Sequence, residues 1–179
     1  SVLAAIADES MEEELDRQRS ACQRIEARLV GDPLRLERVR ACFRALAAAP
    51  PRPARSAVTI HGAFGWDALL VGDNRRIYLY RFDQSRRSHP GFDAGAFLAD
   101  LHRFHAQQRG DPAAYRAGRD AFLAAYDPDG LVDWRADLPW FMGVALLRRL
   151  ERQLERSDGP SAKVDALIRQ CEAWPDLDS

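Results

Sequence analysis

The chain has 179 residues, 46% of them hydrophobic, with only 10 Pro and 11 Gly. That is a normal length and an adequate apolar content for one domain with its own core, spanning 1–179, and it excludes disordered and collagen-like chains. Twenty-six basic residues nearly cancel twenty-seven acidic ones, so the chain lacks the net positive charge of a phosphate-backbone binder, and nucleic acid is not expected as a partner.

No apolar run approaches the ~20 residues of a membrane span, so no membrane association is expected. Ser1-Val2-Leu3-Ala4-Ala5-Ile6 runs directly into Asp8 and Glu9 without a basic region. It does not read as a secretory signal, and a cytoplasmic location is expected. Cys22, Cys42 and Cys171 are odd in number and far apart, which points to free or buried thiols and not to a disulfide or zinc framework.

Ser10-Met11-Glu12-Glu13 has the form of a capping box, and Met11, Leu15, Cys22, Ile25 and Leu29 follow at helical spacing, so a helix is expected over 10–29. Gly31-Asp32-Pro33 ends it and starts a second helix with Leu36, Val39, Phe43 and Leu46 on its apolar face. The first stripe lies near coiled-coil spacing, which makes a homodimer through helix 10–29 one reading and packing inside the domain the other. These helices form a segment 1–49.

Pro50-Pro51-Arg52-Pro53 breaks the pattern, and Ala57 to Ile60, Ala68 to Val71 and Ile77 to Arg81 then read as three short strands. Gly72-Asp73-Asn74 is a turn signal that pairs the second and third as an antiparallel hairpin. The small sheet and its loops occupy 57–83. Helical periodicity returns from Asp93 with Phe97, Leu101 and Phe104, restarts at Asp111-Pro112, and continues through a helix from Pro139 to Arg156 and a last one through Ile168. This helical part covers 92–174.

His61-Gly62-Ala63-Phe64-Gly65-Trp66-Asp67-Ala68-Leu69-Leu70-Val71 resembles the H-G-D-x-x-x-x-N catalytic-loop motif of the aminoglycoside phosphotransferase and choline kinase family. Some twenty residues on, Tyr80-Arg81-Phe82-Asp83, then Pro90, Asp93 and Ala96 to Ala99, resemble that family's metal-binding segment. The resemblance implies an α+β, mostly helical fold, the C-terminal lobe of a protein-kinase-like phosphotransferase with a small antiparallel hairpin. The family's N-terminal lobe has no counterpart here, and no glycine-rich loop precedes the first helix. The chain is then either a piece of a longer protein or a free-standing lobe.

In such enzymes an aspartate orients the acceptor hydroxyl, an Asn and an Asp hold Mg²⁺, and a lysine holds phosphates. Here those catalytic and metal positions fall on Ala63, Ala68 and Arg81, and Lys163 is the only lysine. Methyl groups neither accept protons nor ligate a hard cation. A guanidinium ~4 Å from a divalent ion costs roughly 8 kcal/mol at an effective dielectric of ~20. Loss of a positioned acid/base alone removes a factor of ~10² to 10⁴ in rate. The resemblance gives His61, Gly62, Phe82, Pro90 and Asp93 the task of setting the loop and the following helix, and makes His89 stand for the family's Asp before Pro90.

Asp67 and Asp83 are the carboxylates left near the old site and are candidates for a displaced metal or acceptor site. Against that, Asp67 lies at a loop end and Asp83 is in reach of Arg81, Arg86 or Arg87. His102 and His105, at i, i+3, offer two metal ligands without a third. Arg75-Arg76, Arg86-Arg87 and Arg81 make the hairpin basic, either for an anionic partner or as a solvated surface balanced by Asp73, Asp83 and Asp100. Trp66 and Phe64 are large apolar residues in a loop that would face a partner.

The expected function is that of a catalytically degenerate phosphotransferase-like domain acting by binding, as scaffold, regulator or partner subunit. Another protein or an N-lobe would occupy the cleft of His61, Phe64, Trp66, Asp67, Arg81 and Asp83, with no metal and no cofactor. The alternatives are an ATP- and Mg²⁺-dependent kinase of an aminoglycoside, sugar or amino alcohol, with its N-lobe elsewhere, and a dimeric helical interaction module.

Overall fold

The computed structural model describes residues 11–52, 58–108, 111–127, 135–157 and 161–176. The fold is α+β and mostly helical. The order is α1 (Met11–Leu29), α2 (Pro33–Ala48), β1 (Val58–Ile60), β2 (Leu69–Val71), β3 (Ile77–Leu79), β4 (Arg86–Ser88), α3 (Gly91–Gln107), α4 (Pro112–Tyr126), α5 (Leu138–Glu155) and α6 (Ala162–Glu172).

The helix starts follow from capping chemistry. Asp32 accepts from the Arg35 N–H at 3.1 Å and Asp111 from the Ala113 N–H at 2.9 Å, each followed by a proline whose fixed φ suits the first turn. Ser161 caps α6 through the Val164 N–H. Ser10 of the expected capping box and Ala57 of the first expected strand lie outside the described residues.

The β2–β3 hairpin pairs as expected, Leu69 with Leu79, Leu70 with Tyr78 and Val71 with Ile77. Its turn is closed by the Gly72 N–H donating to the Arg76 carbonyl at 2.9 Å. Two corrections apply. The third expected strand stops at Leu79 rather than Arg81, and a fourth strand, β4, pairs antiparallel with β1 in a sheet of its own, Ile60 opposite Arg86. Arg86-Arg87-Ser88 carries no β-branched or aromatic residue, so its pairing comes from the backbone and the tertiary context.

α5 is the central element, packed against α3, α6, α1 and α2. Leu138, Phe141, Met142, Leu146, Leu150 and Leu154 are buried along it, each large apolar side chain stabilising the fold by about 1.5–3 kcal/mol. The stripe on α1 is spent inside the domain: Ile25 and Leu29 are buried in the common core, Met11 and Leu15 pack on it half-buried, and Cys22 is buried as well. The buried face continues toward the N-terminus through Ala21, Gln18 and Glu14, a polar continuation that apolar spacing does not announce.

α3 and α5 approach closely because Gly91 and Gly95, one turn apart, leave room for Phe141. A Cβ on Gly95 would stand 2.5 Å from the Phe141 Cβ and 2.6 Å from its carbonyl carbon. All three cysteines are free and buried, and burial pushes the Cys22 and Cys42 thiols up to about 11. Among the described residues no helix is long and apolar enough to cross a membrane.

Candidate functional site

The loop from His61 to Ala68 runs across the N-terminal half of α3 and is held from beneath by two carboxylates of that helix. Asp93, buried, accepts from the His61 N–H at 2.6 Å and the Gly62 N–H at 3.0 Å. Asp100, seven residues on and therefore on the same helix face, accepts from the Trp66 N–H at 3.3 Å. Burial raises the pKa of both; the His61 and Gly62 amides oppose that rise at Asp93, and the Arg149 charge, then the Trp66 amide, at Asp100.

Gly62 takes φ +80, and a Cβ there would meet the Gln84 carbonyl oxygen at 2.2 Å. Only glycine fits this position. His61 is buried; its Nδ1 accepts from the Ala63 N–H, so its Nε2–H donates to the Tyr80 carbonyl, 2.8 Å away, while the ring lies 4.9 Å from that of Phe82. It is a loop-structuring histidine.

His89 plays the corresponding part before α3. Its Nδ1 accepts from the Gly91 N–H at 3.0 Å and its ring stacks on Phe141 at 4.5 Å. Burial pushes its pKa down to about 4. The unfolded histidine takes a proton below about pH 6.5 that the folded one refuses until about pH 4, so this contribution is whole above pH 6.5 and is lost as pH falls through that window. At pH 4.5 the loss is about 2–3 kcal/mol. Urea midpoints at pH 7 and 4.5 check it: His89→Asn, which keeps an acceptor for Gly91, should lose that much less on acidification, and an identical loss in both chains refutes it.

On the rim of the loop, chemistry is sparse. Ala63 and Ala68 carry methyl groups, Ala68 buried. Arg81, in the left-handed conformation at φ 69, turns back to Asp67 and pairs with it at 3.0 Å. Of the three arginines expected within reach of Asp83, Arg81 pairs with Asp67 instead, and Asp83 sits exposed on the short turn Phe82–Gln84. Among the described residues no three His, Cys, Asp or Glu side chains gather as a metal site requires. His102 packs edge-on against Tyr115 at 5.2 Å, with His105 beside the same ring.

Trp66 and Phe64 belong to an aromatic ladder. Trp66 lies between Phe97 and Phe104 at 6.1 and 5.2 Å, and Phe64 faces Phe97 at 5.4 Å. Trp66 keeps 42% of its surface exposed. Next to it the hairpin exposes Leu70, Val71, Ile77 and Tyr78.

A cavity of about 830 Å³ opens beside the loop, between α1, the first half of α3 and α5. Arginines dominate its walls. Glu14, fully buried behind it, is engaged by Arg17 at 3.0 Å, by Arg148 and by the Gln18 amide, with Arg86 at 3.7 Å. Burial, with Arg86 and Arg148 alongside, lowers the Arg17 pKa to about 10. Asp100, expected to balance the hairpin, is instead buried against Arg149 and Arg103.

Sequence reasoning missed Glu14, Asp100 in its loop-holding role, and Arg148, Arg149, Arg152 and Arg156. The signal available was Arg-Arg-Leu-Glu-Arg-Gln-Leu-Glu-Arg at the end of α5, where 149, 152 and 156 recur at i, i+3, i+7. Comparison with family models, with curated proteins and with solved structures finds no match to this chain.

Proposed function

We propose that this chain is a catalytically degenerate phosphotransferase-like domain, the counterpart of a kinase-like C-terminal lobe, that acts by binding at the cleft around His61–Asp67 and Arg81. The observation that carries the reading is the contrast within one loop. Its floor is rigidly built, with the His61 and Gly62 amides on a buried Asp93. Its rim offers two methyl groups and an Arg81–Asp67 ion pair where acid/base and metal chemistry need free carboxylates.

A partner protein at this cleft would meet Trp66 and the exposed apolar residues of the hairpin, a patch of the kind that marks contact surfaces. The deciding measurement is a calorimetric titration with ATP, with and without Mg²⁺. We expect Mg²⁺ to add nothing to nucleotide affinity. Binding that requires Mg²⁺ would overturn the reading and make the chain a small-molecule phosphotransferase with Asp67 and Asp83 as substitute carboxylates.

A further inference from the structure

The cavity beside the loop has a composition that the binding reading leaves unexplained. Eight arginines line it, from all of its walls: Arg17 and Arg24 from α1, Arg81 and Arg86 from the β3–β4 region, and Arg148, Arg149, Arg152 and Arg156 from α5 or its end. The carboxylates on it or directly behind it are four, Glu14, Asp67, Asp100 and Glu151, and each is already engaged by an arginine. Among the described residues Arg152 and Arg156 have no carboxylate within ion-pair distance.

Helix electrostatics do not account for this. The C-terminal end of α5 supplies the equivalent of about half a negative charge, which favours one nearby cation. About four net positive charges surround one concavity, and crowding guanidinium groups there is unfavourable without a counter-ion; burial first, and the neighbouring Arg86 and Arg148 second, lower the Arg17 pKa. Such an excess, held in place by the fold, is the electrostatic complement of a multiply charged anion.

The residue type sharpens the chemistry. The cluster is entirely guanidinium, with planar forks that pair two-point with phosphate oxygens. A floor of Phe92, Phe141 and Val144 keeps water from one side, and the Arg148 guanidinium lies 5.6 Å from the centre of the Phe92 ring. The volume is that of a small-molecule pocket and not of a groove for a folded partner or a duplex.

We propose that this cavity binds a small molecule carrying two or more phosphate groups, without a metal ion. The assignment goes beyond the binding reading above: it concerns the arginine-lined cavity beside the loop, not the Trp66 and hairpin surface offered to a protein. Because Mg²⁺ removes two negative charges from a polyphosphate, this site favours the metal-free anion, the opposite sign to a phosphotransferase.

The test is calorimetry on the full chain with sodium tripolyphosphate in EDTA, at low and at physiological salt. Metal-free ATP and inositol hexakisphosphate form separate arms, to tell a nucleotide source from a polyol phosphate. We expect tripolyphosphate to bind, to weaken as salt rises, and to lose at least about tenfold in affinity in the R152E/R156E double variant. Both side chains are exposed, and the folding of the variant is checked by its melting temperature without ligand. Arg116→Glu, exposed on α4 and outside the cavity, should bind like the native chain.

No binding at millimolar tripolyphosphate, or equal affinity in the folded double variant, would overturn the proposal. Tighter binding of a 20-nucleotide RNA than of tripolyphosphate would overturn the small-molecule assignment. The two readings fail separately: Mg²⁺-dependent ATP affinity sinks the non-catalytic reading, whereas loss of metal-free tripolyphosphate binding sinks this one.

Discussion

Asp93→Ala is expected to lower the unfolding free energy by about 3–4 kcal/mol, a large share of the ~5–15 kcal/mol that holds a domain together. The carboxylate accepts two backbone N–H groups, from the buried His61 and from Gly62. Hydrogen bonds to a charged acceptor contribute about 1.5–3 kcal/mol each, and removing the acceptor strands both donors. Relief of the buried charge offsets part of that sum. Asp93→Asn, which keeps one acceptor oxygen, should recover a fraction. Urea unfolding with an unchanged m-value measures both. A loss below about 1 kcal/mol for the alanine variant would mean that the loop is held by its other contacts, principally the His61 to Tyr80 bond and the Asp100 bond to Trp66.

Gly95→Ala should be nearly as damaging, although alanine is the better helix former by about 1 kcal/mol. The added carbon would lie 2.5 Å from the Phe141 Cβ, 2.6 Å from its carbonyl carbon and 2.9 Å from the Met142 nitrogen. These are backbone or backbone-proximal atoms that no rotamer change moves, so α3 and α5 must separate. We expect a net loss of about 3 kcal/mol. Gly118→Ala on α4 provides the opposite sign: its new carbon would meet Leu101 Cδ2 at 3.4 Å, an ordinary contact, and the substitution should stabilise by about 0.5–1 kcal/mol. Thermal melts of the two variants side by side check the pair, and a Gly95→Ala chain melting within 2 °C of the native one would refute the close-approach account.

How much of this was legible in the sequence depends on how local each determinant is. Asp32-Pro33 and Asp111-Pro112 announced two helix starts because cap and proline act within one turn. Gly72-Asp73-Asn74 announced the hairpin for the same reason. β4 stayed hidden because its ladder with β1 is a backbone matter, and Arg86-Arg87-Ser88 has no side-chain preference to signal it. Asp93 was reached through the family resemblance, and its two amide bonds suit the loop-setting role the resemblance implied.

Asp100 and Glu14 were out of reach by any periodicity. A carboxylate on a helix reads as solvent-facing until the neighbouring helix is placed, and here α5 brings Arg149 to the one and Arg148 to the other. The α5 arginines share that blindness. Their spacing shows that they lie on one face, but not that the face borders a cavity, because that depends on how α1 and the loop close over it.

The arginine-lined wall also bears on the molecule as a whole. The full chain carries a formal net charge of −1, so the about four positive charges gathered at one concavity leave the remaining surface with about five negative ones. A near-neutral protein built this way separates positive charge from negative within one chain. Its field orients approaching anions mouth-first within a Debye length of about 8 Å at physiological salt. The same separation of charge gives two copies an attractive head-to-tail orientation at low ionic strength, which fades as salt is added.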